Sequence, residues 1–530
     1  MKVFSFASYH LPVEMLTVVT MVSFFFFWSL GKFNGQLIYP LDDTYIHLQI
    51  SDNLVENSTW GINANEFASA SSSIIYTLLL SSIGFLIGSH IITPLVINVI
   101  FALLLIVCFE ELYKNTIEKN RRVLAVLCIF LLLPIGPIIV SGMEHTVQLL
   151  INLFFFVTSI RFLKSEVYRL NRNFWLMALF GFLSVGIRFE GLFLAIVPCI
   201  FLLISFRIKE LLILSFFFLL PVLLFGTYSV INDGSILPNS LLIKGEHPEL
   251  TYEGVVFFIQ KAIEKFAAAP HIAILMSTTI GWLAICLINR CSLKSELVLE
   301  LITCIVVTSV HLLFAKTGWF YRYEAYLMLF FIIVFTTRFS PKALFVKNSV
   351  YFKWTLIPFL VFGLMILMFR GVRAYYRIPI ATKNINDQQI QMAGFLSQSY
   401  GQSRVMANDI GAISYFNEIE LIDIFGLADS EIAKLKYNRN YGMHDIERKA
   451  KEKSVELAII YDDWFPGMVP PAWTKVAEWK ISNNYICGSD VVSFYSIDKS
   501  HAKSLRNNLI KFAASLPEDV ERFYLRLDGD

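Results

Sequence analysis

The chain has 530 residues, of which 56% are hydrophobic and 16% charged, and its formal net charge is +2. Soluble globular proteins carry about 25% charged residues, so with a mean hydropathy of +0.60 the composition indicates an integral membrane protein. A net charge this close to zero gives no reason to expect a nucleic acid partner. The seven cysteines form no CxxC pair, and we expect neither a disulfide framework nor a zinc site.

The first apolar run, residues 12–31, contains one charged residue, Glu14. A removed signal peptide would end in a small-residue cleavage site, and none follows this run. We therefore interpret it as an uncleaved first membrane span.

Twelve apolar runs have roughly the length of a membrane-spanning helix, which needs about 20 residues. They are 12–31, 72–88, 91–109, 123–141, 146–161, 173–187, 190–206, 210–230, 271–289, 297–315, 325–337 and 354–370. Run 72–88 is the weakest, because it begins in a serine-rich stretch and contains Ser81, Ser82 and Gly84.

Lysine and arginine concentrate in five short loops, which the positive-inside rule places in the cytoplasm. These loops are 110–122, 161–172, 207–209, 290–294 and 338–353. If run 72–88 crossed the membrane, loop 110–122 would lie on the same side as the acidic loop 32–71 and would violate the rule. We therefore predict eleven spans, a cytoplasmic N-terminus, and run 72–88 along the outer interface.

Two further segments are distinct from the spans. Residues 251–268 mix Phe and Ile with charged residues and are typical of an amphipathic helix on the outer surface. Residues 371–530 are polar, with predicted strands at 404–407, 421–424, 456–461 and 491–497 and a helical or turn link at 410–416.

The predicted fold is therefore a polytopic α-helical membrane protein followed by a C-terminal extracytoplasmic α/β domain. The membrane domain would comprise residues 1–370, with an outer loop at 32–90, and the α/β domain residues 371–530. The protein would be a multi-pass protein of the cytoplasmic membrane, with the C-terminal domain in the periplasm or outside the cell.

Polar residues cluster in five segments that this topology places on the outer face. Charged groups at membrane depth are costly, which makes them functional candidates, and we expect one shared site. The candidates are Asp42, Asp43, Tyr45, Glu144, His145, Arg188, Glu190, Asn239, Lys244, Arg322 and Tyr323.

Asp42 and Asp43 are the most specific of these candidates. Two adjacent carboxylates repel each other, so one of them can titrate at a raised pH. It could then act as a general base on a hydroxyl group that attacks an activated carbon. The alternative is a solvated acidic loop or a pair of residues that caps a helix.

Arg188 and Arg322 could each contact a phosphate, because a guanidinium binds phosphate with two parallel hydrogen bonds. For Arg188 the alternative is an ion pair with Glu190 that anchors the loop. For Arg322, which lies between Tyr321 and Tyr323, the alternative is an arginine that extends to the interface within an aromatic belt.

The remaining candidates have equally ordinary alternatives. Lys244 could reach a lipid phosphate or be a solvated loop lysine. Glu144 with His145 could serve as a metal or acid–base pair, or as an internally satisfied loop end. Asn408-Asp409 and Asp462-Asp463 each follow a predicted strand and could cap a helix or contact an acceptor glycan.

The segment Leu41-Asp42-Asp43-Thr44-Tyr45-Ile46, directly after the first span, resembles the GT-C superfamily of membrane glycosyltransferases. Further motifs are similar to a bacterial subgroup that includes the terminal arabinofuranosyltransferases of mycobacterial cell walls. These motifs are 141–144, 188–191, 237–240 and 321–323, with 409–416, 422–423 and 426–427 resembling the C-terminal domain of that subgroup. The resemblance covers most of the chain and keeps the order of the motifs.

The resemblance implies an inverting transfer of a sugar from a polyprenyl phosphate donor to a glycan or lipid acceptor during cell-envelope polysaccharide assembly. Asp42 would be the base, and Asp43 a supporting carboxylate that orients the acceptor or a divalent metal such as Mg or Mn. Arg188 and Arg322 would serve the lipid phosphate. Phe189, where the family often has proline, is one of the departures that concern the identity of the sugar.

Two other functions fit a polytopic protein of this kind. A transporter or flippase for lipid-linked sugars would be expected to contain inverted repeats and matched broken helices, and the sequence has neither. An O-antigen polymerase or ligase would depend on arginines in large outer loops between spans. Here the large outer segment is instead the C-terminal domain.

Overall fold

A computed structural model describes residues 13–165, 170–245, 251–338 and 350–527. The described chain divides into two compact units. The first is drawn from Met1–Lys32, Leu95–Pro221 and Glu246–Tyr376, and the second from Phe33–Pro94, Val222–Gly245 and Arg377–Asp530.

The first unit is helical, as its long runs of Leu, Ile, Phe and Val predict. The α-helices that lie wholly or mainly in it are Val13–Lys32, Thr93–Tyr113, Lys119–Leu131, Ile135–Val140, His145–Leu163, Arg172–Ile187, Ile196–Ile204, Ile208–Ile231, Tyr252–Ala268, Pro270–Ile288, Glu296–Phe314, Ala325–Arg338 and Val350–Ile385. A 3₁₀ segment, Phe189–Ala195, leads into Ile196–Ile204. The His145–Leu163 helix lies at the centre of the packing, because 83% of its apolar stretch is buried.

Among the described residues, six helices are long and apolar enough to cross a membrane, judged by length and composition. They are Met15–Lys32, Thr93–Tyr113, His145–Leu163, Ile208–Ile231, Pro270–Ile288 and Glu296–Phe314. Four shorter apolar helical segments are Ile74–Ile87, Arg172–Ile187, Phe189–Ile204 and Ala325–Arg338. The structure thus confirms a multi-pass helical protein, and the number of eleven spans stays a prediction.

Two predicted helices outside the spans are present in the structure. Run 72–88 forms the helix Ile74–Ile87, whose 14 residues rise about 21 Å, less than the roughly 30 Å of a bilayer core. Segment 251–268 forms the helix Tyr252–Ala268, which begins where the Thr251 hydroxyl accepts the backbone N–H of Gly254. Their positions at the membrane surface stay predictions.

The second unit contains a six-stranded mixed sheet. Its strands are β1 (Arg404–Ala407), β2 (Glu420–Asp423), β3 (Leu457–Ile460), β4 (Thr474–Lys480), β5 (Val491–Ser496) and β6 (Glu521–Tyr524), in the spatial order β2-β1-β3-β5-β4-β6. The first three are parallel, and β5, β4 and β6 pair antiparallel. The four predicted strands are confirmed as β1, β2, β3 and β5, whereas β4 and β6 were not predicted.

Helices accompany the sheet in the same unit. They are Asp43–Glu56, Ile74–Ile87, Asn239–Lys244, Gln391–Ser399, Gly411–Tyr415, Ser430–Tyr437, Met443–Glu452 and Ala502–Phe512. Short 3₁₀ turns lie at Asp462–Trp464, Lys499–His501 and Ala513–Ser515, and one π-helical turn at Asn386–Ile390. The predicted helical link at 410–416 is confirmed as Gly411–Tyr415.

The second unit is not restricted to the C-terminal part of the chain. It also contains residues 33–94 and 222–245, and its C-terminal part begins at Arg377. The predicted boundary at residue 370 falls inside one continuous helix, Val350–Ile385. The acidic loop at 32–71 contains a helix as well, Asp43–Glu56, whose buried side chains include Tyr45, Ile46 and Leu48.

Candidate active site

Asp42 lies directly before the Asp43–Glu56 helix but does not cap it. An aspartate in this position usually accepts a backbone N–H from the first turn of its own helix, and the Asp42 side chain makes no such bond. Its Oδ2 instead accepts the backbone N–H of Gly411 at 2.6 Å, and its Oδ1 accepts that of Ala412 at 2.8 Å. The N-terminus of the Gly411–Tyr415 helix therefore holds this carboxylate in place.

Gly411 permits this contact because it has no side chain. A methyl group at this position would overlap both the carbonyl oxygen and the carboxylate of Asp42. The glycine in the motif Asp409-Ile410-Gly411-Ala412 is therefore explained by close approach of two backbone segments.

Asp409 is the second carboxyl group at this point, and the side chains of Asp42 and Asp409 are hydrogen-bonded to each other. Burial raises the pKa of Asp42 well above its usual value, and the charge of Asp409 raises it further, against the two backbone N–H groups. The pKa of Asp409 is also raised, chiefly by burial. Two carboxyl groups that interact in this way do not both ionise easily, because each negative charge opposes the other.

Asp409 is positioned by groups from two other elements of the second unit. Its Oδ2 accepts a hydrogen bond from Gln389 Nε2 at 2.7 Å and from the Tyr461 hydroxyl at 2.9 Å. Gln389 lies in the π-helical turn Asn386–Ile390, a local distortion that often marks functional positions. Tyr461 directly follows β3. Asp409 itself follows β1, so the carboxyl ends of two parallel strands meet here.

Asp43 faces a cation. Its Oδ1 lies 3.6 Å from Lys244 Nζ, and the two side chains are 26% and 34% exposed, so both can meet a ligand. Lys244 ends the short helix Asn239–Lys244, which is anchored at its first residue because the buried Asn239 amide donates to the Leu427 carbonyl at 3.1 Å. The sequence candidates Asp43, Asn239 and Lys244 are thus brought together, with Asn239 as the anchor.

Tyr45, another predicted substrate contact, is fully buried. Its hydroxyl accepts the backbone N–H of Tyr39 at 3.0 Å, and its ring centroid lies 5.9 Å from Tyr415 and 5.6 Å from Phe416. These contacts give Tyr45 a packing role between the Asp43–Glu56 helix and the segment that follows Gly411. The predicted contact with substrate has no support in them.

The other candidates belong to the first unit, where Arg188 lies between two carboxylates. Its Nη1 donates to Glu144 at 2.6 Å, while its Nη2 and Nε donate to Glu190 at 2.7 and 3.1 Å. The ion pair with Glu190, which was the alternative to a phosphate site, is therefore present and is extended by Glu144. The predicted contact of Arg188 with a lipid phosphate stays a prediction.

Tyr323 brings the two arginine candidates together. The guanidinium carbon of Arg188 lies 5.5 Å from the centroid of its ring, and that of Arg322 lies 5.1 Å away. Both distances are typical of cation–π contacts. Arg322 is only 1% exposed, so it is not an arginine that extends to the surface of an aromatic belt.

Two groups of polar residues were missed by the sequence analysis. In the first unit, Arg370 forms an ion pair with Glu324, which also lies 3.2 Å from His271 Nε2. In the second unit, Gln389 and Tyr461 support Asp409. Two signals were available: Arg370 ends an apolar run, and Tyr461 directly precedes the acidic pair Asp462-Asp463. Gln389 belongs to no motif that the sequence analysis identified.

The acidic pair fits a divalent metal poorly. A metal site would need several oxygen or nitrogen ligands around one point, and the described residues contain no group of three or more His, Cys, Asp or Glu side chains that could hold an ion. Both oxygens of Asp42 accept backbone N–H groups, and Asp43 faces an ammonium group. Metal dependence stays a prediction.

Comparisons with known proteins identify the fold. A family model described as a domain of unknown function (DUF8728) matches residues 383–495. The crystal structure of ArnT from Cupriavidus metallidurans bound to undecaprenyl phosphate covers 91% of this chain and 97% of its own, at 12% identity and a TM-score of 0.51. The apo structure of the same protein covers 92% of this chain and 98% of its own, at 12% identity and a TM-score of 0.50. A comparison with curated protein sequences finds no match.

The arabinofuranosyltransferase AftD from Mycobacteria covers 91% of this chain and 41% of its own, at 11% identity and a TM-score of 0.39. That score is too low to support an argument, so the arabinofuranosyltransferase subgroup remains a resemblance. The match to ArnT confirms the predicted GT-C fold.

Proposed function

We propose that this protein is a membrane glycosyltransferase that moves a sugar from a polyprenyl phosphate to a hydroxyl group of an acceptor. The observation that carries the proposal is the Asp42 carboxylate, held by two backbone N–H groups in the segment that follows the first apolar helix of a GT-C fold. The matched ArnT structure contains undecaprenyl phosphate, and we carry this lipid class over to the present chain as donor.

The reaction is a single displacement. The Asp42 carboxylate takes the proton of the acceptor hydroxyl while that oxygen forms a bond to the anomeric carbon. The bond between the anomeric carbon and the phosphate oxygen breaks, and the polyprenyl phosphate leaves with the electron pair. Because the nucleophile enters opposite the leaving group, the configuration of the sugar inverts.

The surroundings of Asp42 suit the role of a base. Burial and the neighbouring Asp409 raise its pKa, which brings its proton affinity closer to the pH of the medium. The N–H groups of Gly411 and Ala412 fix the direction of its oxygens. A fixed base loses less entropy when the reacting groups are aligned.

The neighbouring pair of Asp43 and Lys244 has the complementary role. The Lys244 ammonium group can stabilise the negative charge that develops on the departing phosphate. Asp43 keeps Lys244 in place between turnovers, as the 3.6 Å separation suggests. In the first unit, Arg188 and Arg322 remain candidates for contact with a lipid phosphate, with Glu144, Glu190 and Tyr323 as their supports.

In the cell, the proposed reaction takes place on the outer face of the cytoplasmic membrane, with the sheet-containing domain extracytoplasmic. This location follows the distribution of Lys and Arg in the loops. The product would be part of a cell-envelope polysaccharide. Transporters and O-antigen polymerases or ligases are the competing functions, and the experiment below distinguishes them.

The test uses the full-length protein in lipid nanodiscs with lipid-linked sugars extracted from the native membrane. Glycan analysis of a deletion strain first identifies the missing sugar and its acceptor. Transfer is then followed by mass spectrometry as release of free polyprenyl phosphate together with a mass gain on the acceptor. Movement of the intact lipid-linked sugar across the bilayer, without release of polyprenyl phosphate, would instead identify a transporter.

A further inference from the structure

The second unit contains a half-open groove of about 1050 Å³. Binding sites for small molecules usually measure about 300–1,000 Å³, so this groove can hold more than one sugar ring. One part of its lining is the Asp43–Glu56 helix, and a second is the segment from Tyr415 to Ile419, which we call its two walls. Residues 62–64 and 89–91 also line it, as do Asn57, Ser397 and Gly401.

The lining of the groove is polar, acidic and partly aromatic. Its acidic side chains are Asp52, Glu56 and Glu418, His90 is a further ionisable one, and no lysine or arginine of the described part of the chain lines it. Tyr415 and Phe416 supply two aromatic rings, with Phe416 39% exposed. Carboxylates accept hydrogen bonds from hydroxyl groups, and aromatic rings offer a flat apolar face. This combination suits a polyhydroxylated ligand and disfavours phosphate or carboxylate groups, which the acidic residues would repel.

The walls are preformed. Gln49 Nε2 donates to the Ile62 carbonyl at 3.0 Å, and Asn53 Nδ2 donates to the Gly61 carbonyl at 2.9 Å. The Asn63 amide forms two hydrogen bonds with the backbone of Leu421, one as donor and one as acceptor, both at 3.0 Å. These bonds tie the loop at 61–63 to the Asp43–Glu56 helix and to β2, which directly follows the second wall. A preformed site loses little entropy when a ligand binds.

The groove is connected to Asp42 through a single short helix. The first residues of the Gly411–Tyr415 helix donate their N–H groups to Asp42, and its last residue, Tyr415, lines the groove. Five helical residues span about 6 Å along the axis. Tyr45, two residues after Asp43, packs against the rings of Tyr415 and Phe416. One end of the groove thus lies within a few residues of the proposed base.

We infer that this groove binds the acceptor, and that the acceptor is a glycan chain without acidic groups rather than a phosphate-bearing lipid. The inference rests on the proposed function, of which it specifies the acceptor class. The chain would lie along the Asp43–Glu56 helix, with its hydroxyl groups on Asp52, Glu56 and Glu418 and a ring face on Phe416. Its terminal hydroxyl would then reach Asp42.

The test is binding of the full-length Asp42→Asn protein, in nanodiscs, to an array of neutral, phosphate-bearing and uronate-bearing oligosaccharides. This variant removes turnover but leaves the groove residues unchanged. We expect binding to neutral oligosaccharides and at least tenfold weaker signals for the acidic ones. In the same background, Glu418→Lys and Phe416→Ala should each weaken neutral binding about tenfold, whereas Glu518→Lys, at an exposed position outside the groove, should not change it.

Preferential binding of the phosphate-bearing or uronate-bearing glycans would overturn the inference, as would neutral binding that Glu418→Lys leaves unchanged. Failure of the inference can be told apart from failure of the proposed function. If the wild-type protein transfers sugar to an acceptor but no glycan binds in the groove, the inference is wrong and the proposed glycosyltransferase function is supported. If neutral glycans bind but no polyprenyl phosphate is ever released, the groove is a glycan-binding site and the proposed sugar transfer is wrong.

Discussion

Asp42 accepts the backbone N–H of Gly411, 369 residues further along the chain, at a distance of 2.6 Å. The motif that follows the first apolar helix and the motif that follows β1 are therefore parts of one site. The contact also fits the division of the chain, in which the six-stranded sheet and residues 33–94 belong to the same compact unit. It also makes the proposed base depend on residues that never touch the substrate.

Replacement of Gly411 by alanine tests this dependence. The added methyl group would overlap the Asp42 carbonyl and carboxylate, so one of the two segments must move. A displacement of about 1 Å can reduce a rate about 10²-fold, and we expect a loss of this size in kcat. The measurement is release of polyprenyl phosphate in nanodiscs.

Gly442→Ala is the matched control, because a methyl group there meets no atom within 4 Å. It should retain nearly full activity. If Gly411→Ala is as active as Gly442→Ala, the Gly411 N–H does not hold the base in a productive position.

Asp409→Asn should shift the dependence of the rate on pH. The charge of Asp409 and its hydrogen bond both raise the pKa of Asp42, so their removal lowers that pKa. Because the reaction requires Asp42 without its proton, the acidic limb of the profile of kcat/KM against pH should move to lower pH. A variant that merely unfolds would lower the rate equally at every pH, and an unmoved acidic limb would show that the two carboxyl groups are not coupled.

Lys244→Gln should reduce activity without reducing stability. The ion pair with Asp43 is about one-third exposed, and pairs of this kind contribute at most about 1 kcal/mol to folding. The loss of positive charge near the leaving phosphate should instead lower kcat by roughly 10²-fold. Lys434→Gln, at an exposed position in the same unit, is the comparison; equal activities for the two variants would remove Lys244 from the mechanism.

Arg188→Met should have the opposite pattern, with stability affected first. The substitution leaves Glu144, which is fully buried, and Glu190 without their shared cation. The removal of one partner from a buried ion pair typically costs about 3–5 kcal/mol. We expect a clear fall in the thermal unfolding temperature in detergent, while Arg172→Met at an exposed helix start should change it little. An unchanged unfolding temperature would mean that the pair adds nothing to the fold.

The parts of the fold that depend on local sequence could be predicted. Apolar runs such as 146–161 lie in helices, and the β-branched segment at 456–461 forms β3, because hydrophobic periodicity and strand propensity act over a few residues. The β4 strand was missed, since charged Lys475 and Glu478 interrupt its apolar residues. The Asp43–Glu56 helix was read as part of a loop because polar residues, among them His47, Ser51 and Asn53, occupy buried positions and obscure an apolar periodicity.

The site could be predicted only in part. The sequence proposed Asp42 and Asp43 as the reactive pair, which stays a prediction. The ion pair of Arg188 with Glu190, which was the alternative to a phosphate contact, is present. The sequence suggested Asp409 only as a capping or glycan-contacting residue. The pairing of Asp409 with Asp42 depends on how distant segments fold together, and no spacing in one sequence carries that information.

The measurement that tests the account most directly is a comparison of sugar transfer by Asp42→Asn, Asp43→Asn and the wild type, each full-length in nanodiscs. General-base catalysis is typically worth about 10²- to 10⁴-fold. The account predicts a loss of this size for Asp42→Asn and a smaller loss for Asp43→Asn. Wild-type rates for Asp42→Asn, with both variants folded, would contradict it.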